Sequence, residues 1–459
     1  MSMNFNRRQV ALGLTGIAFG GLAACTGKLG SGAGASQESL AAGYDLLKSD
    51  PAGLLDLPAG FSYQILSSYG DAMSDGLVVP NAADGMGCFR LDERRIALVR
   101  NHELKVGEMS DGPAGKRGLT KGAAFDHKGD AALPGGTTTL ILDAQTLKVE
   151  KQFLSLAGTI RNCAGGITPW GSWLSCEEDM TRAGQDGVGK DHGWVFEVPA
   201  NGQGLADPVP LTGLGRFRHE AVAVDPATGI VYLTEDQDES LFYRFLPNER
   251  GVLAKGGRLQ ALALPDGVTD TRNWEESARA GQSFAPGQWA DARWLDLDHT
   301  DSPQDDLRLR GAKAGAAVFA RGEGIWFGAG EVYFCCTSGG AAGLGQIMRY
   351  RLSPQEGQTS ETDSPGRLQL FFESKDKSVF NYGDNLTVAP NGHLIVCEDQ
   401  YTAIVDNHLR GVTPDGLVYP LARLRAQTEL AGVCFSPDGS TLFVNIYEPG
   451  KTLAIRGPW

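Results

Sequence analysis

The chain has 459 residues and a formal net charge of −14. That length suffices for one large β domain or two ordinary ones with a buried core, and a hydrophobic content of 42% excludes a disordered chain. The acidic balance argues against a nucleic-acid partner, which needs basic patches, and favours cations as ligands.

Residues 1–25 read as a targeting segment. Arg7 and Arg8 stand ahead of an apolar, Gly-rich run from Val10 to Ala24. This run is short for a membrane helix but fits a signal h-region, and the arginine pair resembles a twin-arginine export signal. Leu22-Ala23-Ala24-Cys25 resembles a lipobox in which Cys25 would carry lipid; the alternative is a plain small-residue cleavage site. Residues 26–44 are expected to form a flexible tether and residues 45–459 a single β domain. No later stretch is long and apolar enough to span a bilayer. The expected location is the periplasm or cell envelope, as a monomer, with membrane contact only through Cys25.

Of eight cysteines, seven remain after Cys25, so they cannot all pair. Cys88, Cys176, Cys335, Cys336, Cys397 and Cys434 sit in apolar, strand-like runs and read as core thiols. Cys163 lies instead in the loop-like Asn162-Cys163-Ala164-Gly165-Gly166.

Six segments share one pattern: an apolar run, a turn, a second apolar run and a polar cluster. In chain order they are Gly85–Glu103, Gly166–Asp179, Ala221–Asp236, Gly324–Ser338, Leu386–Asp399 and Val433–Ile446. The turns Asp225–Gly229, Pro390-Asn391-Gly392 and Pro437-Asp438-Gly439 are hairpin chemistry, and the flanking β-branched and aromatic residues have strand propensity. Six related hairpins predict an all-β, six-bladed β-propeller with inserted loops. The longest insertions are Lys105–Gly136 and Asn248–Phe319. The second includes a short predicted helix over Thr271–Arg279 and an acidic patch around Asp296–Asp306.

The ends of the hairpins carry the chemistry. Asp84, Cys163, Glu220, Glu323, Asp384 and Glu429 precede the first strands. Asn101 with Glu103, Glu177 with Glu178, Glu235 with Asp236, Ser338, Glu398 with Asp399, and Asn445 follow the second strands. A hairpin folds its two ends together, so equivalent positions in all blades converge on one axis. One acidic pair is an ordinary solvated turn. Recurrence in at least four repeats concentrates like charge that cations must offset. Carboxylate oxygens select calcium or similar ions, and one thiolate adds preference for a transition metal. His102 and His219 adjoin acids, but neighbours in a strand face opposite ways; a structural role is at least as consistent as ligation. Arg321 lies two residues before Glu323 and could face the same way. It suits bidentate phosphate recognition or a plain Arg–Glu ion pair.

These stretches resemble the PhoX-type alkaline phosphatase family. The matching segments are Asn101-His102-Glu103, Asn162–Asp179, His219–Asp236, Arg321–Phe327, Asp384–Val388, Cys397–Asp399 and Leu430–Trp459, so the resemblance covers nearly all of the mature chain. It implies a propeller with a mixed ferric iron and calcium cluster on its axis. It also implies Cys163, Glu178, Glu220, Glu323 and Asp384 as ligands, Glu103 and Glu398 as further acids, and Asn162 and Arg321 as phosphate contacts. The implied activity is hydrolysis of small phosphate esters, with the metals polarising the phosphoryl oxygens and Arg321 stabilising the transferring group. Two alternatives differ in what they need. A calcium-dependent propeller lactonase or esterase needs no thiol, and a non-catalytic propeller lipoprotein would act as a binding scaffold.

Overall fold

Alternation of apolar and polar residues about tight turns produces six antiparallel hairpins, and each seeds one blade. The first strands are β1 (Ala83–Arg90), β2 (Asn162–Ile167), β3 (His219–Val224), β4 (Gly322–Gly328), β5 (Gly383–Val388) and β6 (Leu430–Phe435). The computed structural model describes residues 42–113, 123–265, 267–400 and 402–459. The expected export signal and Cys25 lie outside these residues. Tyr44, at the end of the expected tether, is buried against Phe61 and Tyr419.

Each of β1–β6 is the edge strand of its own sheet, and the sheets grow outwards from it. β1 to β6 also contact one another in sequence, and β6 contacts β1, closing a ring. The molecule is the expected six-bladed β-propeller. The N-terminal part of the described chain completes the last blades. Ser62–Ser68 pairs with Lys451–Arg456 as the outermost strand of blade 6, and Leu55–Pro58 pairs with Val418–Leu424 in blade 5.

Two details depart from the sequence expectation. Every inner strand begins two to four residues before the apolar run that announced it. The cause is a register irregularity repeated in all six hairpins, between Ala83 and Met86, Asn162 and Gly165, His219 and Val222, Gly322 and Ile325, Gly383 and Leu386, and Ala431 and Cys434. Such bulges admit polar residues and re-aim side chains. The second departure is in the insertion Asn248–Phe319, which is only partly loop. It adds Gly257–Ala263 and Arg293–Asp296 to blade 3 and Trp289–Asp291 to blade 4. Its predicted helix shortens to α1 (Glu275–Arg279), and a second, α2 (Leu307–Lys313), follows the acidic patch. In α2, Leu307 and Gly311 are buried one turn apart, so tertiary contact rather than a long apolar stripe holds this helix.

Apolar side chains fill the spaces between blades. Tyr232, Phe242, Phe319, Phe334 and Tyr350 pack in one cluster, and Leu174, Val222, Leu233, Tyr243 and Leu259 in another. The six cysteines read as core thiols are all buried and free. Among the described residues no helix is long and apolar enough to cross a membrane.

Candidate metal centre

The bulge explains how one side chain per blade reaches the axis. The residue after the last pair before the irregularity is Asp84, Cys163, Glu220, Glu323 and Asp384 in blades 1 to 5. In blade 6 it is Gly432, at φ +61°, where an added Cβ would lie 2.3 Å from the Asp84 carbonyl oxygen. That bulge therefore offers no ligand. Glu429, just ahead of β6, serves the same region.

Polar side chains of one blade hold the bulge of the next. Asn445 donates to the Asp84 carbonyl (2.5 Å), Asn101 to the Cys163 and Ala164 carbonyls (3.2 and 2.7 Å), and Thr234 to the Glu323 carbonyl (2.6 Å). Their interiors are buried, so these bonds both satisfy backbone groups and set the direction of the candidate donor side chains.

Among the described residues, nine donors form four overlapping groups, with the donor atoms within 4.8 Å of one another in each. They are Asp84, Glu103 and Cys163; Cys163, Glu178 and Glu220; Glu220, Glu323 and Asp384; and Asp384, Asp399 and Glu429. Shared members make a continuous arc of metal-ligating atoms around the axis. The Cys163 thiol donates to Glu220 Oε1 at 3.2 Å and lies 3.6 Å from Asp84 Oδ2. Burial pushes this thiol far up from its ordinary pKa, and Asp84, Glu220, Glu103 and Glu178 push it further. Two guanidiniums meet the arc. Arg161 bonds Glu103 Oε1 through Nε and Nη2 (3.0 and 2.8 Å) and Glu178 Oε2 (2.5 Å). Arg321 bonds Asp236 through Nε and Nη2 (2.6 and 3.0 Å) and Glu323 Oε1 (2.8 Å). Eight carboxylates with one thiol, packed this closely, make a donor set that fits bound cations: hard oxygens for divalent or trivalent ions, and one soft sulfur.

Cys163, Glu178, Glu220, Glu323, Asp384 and Glu103 thus come together. Glu398 does not. Its carboxylate bonds Arg410 Nε at 2.7 Å and His408 Nδ1 at 3.0 Å inside its own blade, and its neighbour Asp399 takes the axial place. Burial alone would raise Glu398, but Arg410 and His408 outweigh it and hold the carboxyl below its ordinary value. The first acid of every tandem pair behaves alike. Glu177 binds His192 (2.7 Å) and the Gly193 N–H (3.0 Å), and Glu235 accepts from the Tyr243 hydroxyl at 2.6 Å. Burial pushes Glu235 up to about 7, against the opposing pull of Arg308. Period-two alternation sends the first acid into the blade and the second the other way: Glu178 and Asp399 join the arc, and Asp236 holds Arg321.

Asn162 also turns away from the axis. Its Oδ1 accepts from the Thr159 hydroxyl at 2.6 Å and its Nδ2 donates to the Ser175 hydroxyl at 2.9 Å. His102 sits between the Asn81 carbonyl (2.8 Å) and the Thr138 hydroxyl (2.9 Å), and His219 bonds the Gly215 carbonyl (2.9 Å). Burial lowers both imidazoles, His219 to about 3, so both stand neutral in structural roles. Arg161 and Asp399 were legible only through equivalence: Arg161 stands two residues before Cys163 as Arg321 stands two before Glu323.

Comparison with known proteins agrees with this fold. A family model described as alkaline phosphatase PhoX matches residues 42–149 and 134–450. The structure of Pseudomonas fluorescens PhoX in complex with vanadate, a transition state analogue, aligns with a TM-score of 0.66 at 19% identity, over 90% of this chain and 98% of that one. A gluconolactonase from Xanthomonas campestris aligns at a TM-score of 0.39 and 14% identity over 88% and 97% of the two chains, too loosely to bear on function. A search of curated proteins returned no match. By a family match that spans nearly the whole described chain, this protein belongs to the PhoX alkaline phosphatase family, whose members hydrolyse phosphate esters.

Proposed function

We propose that the chain is an exported metallophosphatase that hydrolyses small phosphate esters with iron and calcium ions held on the propeller axis. The observation that carries this reading is the arc of eight carboxylates and the Cys163 thiol in four overlapping groups, in a chain of the PhoX family. Cys163 with Glu178, Glu220, Glu103 and Asp84 would hold the ions that accept a thiolate, ferric iron among them. Glu323, Asp384, Asp399 and Glu429, which offer oxygen alone, would hold calcium. When bound, such cations polarise phosphoryl oxygens, activate water and offset charge on the leaving oxygen.

The chain's own residues supply orientation and charge. Arg321 is held by Asp236 from one side while its Nη2 reaches Glu323. Its charge is thereby fixed beside Glu323, where it would stabilise negative charge that develops on a phosphoryl group. Asn162 acts indirectly, by fixing Thr159 and Ser175 around the β2 bulge. Cys163 must give up its proton on metal binding, because thiolate is the ligating form.

Elemental analysis of the purified protein, with a p-nitrophenyl phosphate assay before and after calcium chelation, tests the reading. Iron and calcium in the protein and a chelator-sensitive activity are expected. Protein that carries neither metal and leaves the ester intact would sink it. The location proposed with this function is the periplasm or cell envelope, reached by the twin-arginine route, with the monomer anchored through lipid on Cys25. Replacement of Arg7 and Arg8 by Lys should retain the protein in the cytoplasmic fraction, and Cys25→Ala should release it from membranes.

A further inference from the structure

One residue stands directly ahead of each inner strand: Ala82, Arg161, Arg218, Arg321, Tyr382 and Glu429 in blades 1 to 6. In every blade its carbonyl accepts from the N–H of the residue just past the second strand. The donors are Glu103, Glu178, Asp236, Thr337, Asp399 and Tyr447, at 2.9 to 3.4 Å. These six pairs repeat one position around the axis. In blades 2, 4 and 6 that position carries a long charged side chain that meets the arc. Arg161 bonds Glu103 and Glu178, Arg321 bonds Glu323, and Glu429 belongs to a donor group itself.

Arg218 holds this position in blade 3. The pair next to it, His219 and Glu235, turns into the blade. Residues directly opposite on an antiparallel ladder share a face, and the next pair along takes the other face. Arg218, whose carbonyl accepts from Asp236 N–H, therefore faces the way Asp236 does, out of the blade and toward Arg321. Its guanidinium differs from those of Arg161 and Arg321. Among the described residues no hydrogen bond or ion pair engages it, and its Nε is buried without a partner. The two acids that equivalence would assign to it are held by its neighbours: Glu178 of the preceding blade bonds Arg161, and Asp236 bonds Arg321. A buried donor with nothing to accept from it is costly and calls for an acceptor from outside the chain. Arg218 stands two residues before Glu220, which belongs to two of the donor groups, so an anion held by cations there would lie beside it.

We infer that Arg218 is a substrate-contacting residue, whose unengaged guanidinium hydrogen-bonds the phosphoryl group of the ester beside Glu220. The inference rests on the phosphatase reading above. Arg161 and Arg321 keep the acids that fix them, whereas Arg218 gives up no bond to the protein when it engages the substrate. A charge-assisted hydrogen bond to phosphate is among the stronger ones, and a donor already standing at the site stabilises charge that develops on the transferring group.

Arg218→Met and Arg218→Lys in the full-length, metal-loaded protein test this. Inorganic phosphate binding is read by calorimetry, metal content by elemental analysis, stability by melting temperature, and kcat and KM on p-nitrophenyl phosphate. Because no protein group depends on the guanidinium, Arg218→Met is expected to keep the wild-type metal content and melting temperature. It is expected to bind phosphate ~10-fold more weakly and to lose ~100-fold in kcat/KM, the scale of one lost transition-state donor. Lysine keeps the charge but not the planar donor set, so Arg218→Lys is expected to fall between Arg218→Met and wild type. Phosphate affinity and kcat/KM within about twofold of wild type in Arg218→Met overturn the inference. So does a loss of activity that tracks loss of metal or of melting temperature in both variants, which would make Arg218 a structural support. Wild-type protein that neither binds phosphate nor cleaves the ester would instead overturn the phosphatase reading beneath it.

Discussion

The Cys163 sulfur lies 3.2 Å from Oε1 of Glu220, across the boundary between blades 2 and 3. Two bulges on different strands put these atoms together, and Asp84 approaches the same sulfur from blade 1. One thiol thus joins two of the donor groups.

On the proposed iron–calcium reading, Cys163→Ser should strip the thiol-dependent metal while calcium remains. Activity should fall by more than the roughly 10–100-fold that follows loss of an outer partner of a metal ligand. Elemental analysis and the ester assay check this together. Full activity in the serine variant would favour a calcium-only esterase.

Glu398 and Asp399 should separate cleanly. Glu398→Ala leaves Arg410 buried without its carboxylate, a change that typically destabilises by ~3–5 kcal/mol, and should lower the melting temperature. Asp399→Asn removes an axial donor, so it should lower metal content with little change in the melting temperature of metal-free protein. A melting curve and a metal count on each variant decide the assignment.

His192 is buried between Glu177 and Asp126, at 2.7 and 3.2 Å. Burial alone would lower its pKa, but the two carboxylates outweigh it and hold it up at about 9, against an ordinary 6.5. The folded value lies above the unfolded one, so the stabilisation is complete below about pH 6.5 and is lost as pH rises through about 9. Stability should decline across that window with a slope of up to ~1.4 kcal/mol per pH unit. In His192→Gln the slope should flatten. Denaturant titrations from pH 6 to 10 measure both.

Gly432→Ala tests the sixth bulge. A Cβ there meets the Asp84 carbonyl at 2.3 Å on a left-handed backbone, so the variant should lose more than ~1 kcal/mol of stability. The clash also pushes on the strand that carries Asp84. Metal content should fall more than it does after an alanine substitution at Gly416, where a Cβ meets nothing within 4 Å and φ is also positive.

Much of the architecture was legible because hairpins announce themselves locally. Asp225–Gly229 and Pro437-Asp438-Gly439 are turn chemistry between runs of strand formers, and their recurrence implies blades. The start of each inner strand was not legible. A bulge such as that between Asn162 and Gly165 places polar and glycine residues inside a strand, where periodicity sees a loop. The parity of the acid pairs was hidden for the same reason. Glu398 and Asp399 are equally acidic, and only the register of Glu398 opposite Gly383 sends one inward and the other to the axis. Asn162 lies off the axis because its neighbour Cys163 faces it, and successive side chains in a strand face apart.

The sequence by itself determined the strands, the turns, the acidic ends of the hairpins and the singular thiol, because each depends on residues close together along the chain. Only the tertiary structure decided which acids meet and which arginines join them. Glu103, Cys163, Glu178 and Glu220 come from three blades. Their approach depends on ring closure, on Ser62–Ser68 pairing with Lys451–Arg456 at the other end of the chain, and on a one-residue register that alternation alone leaves undetermined.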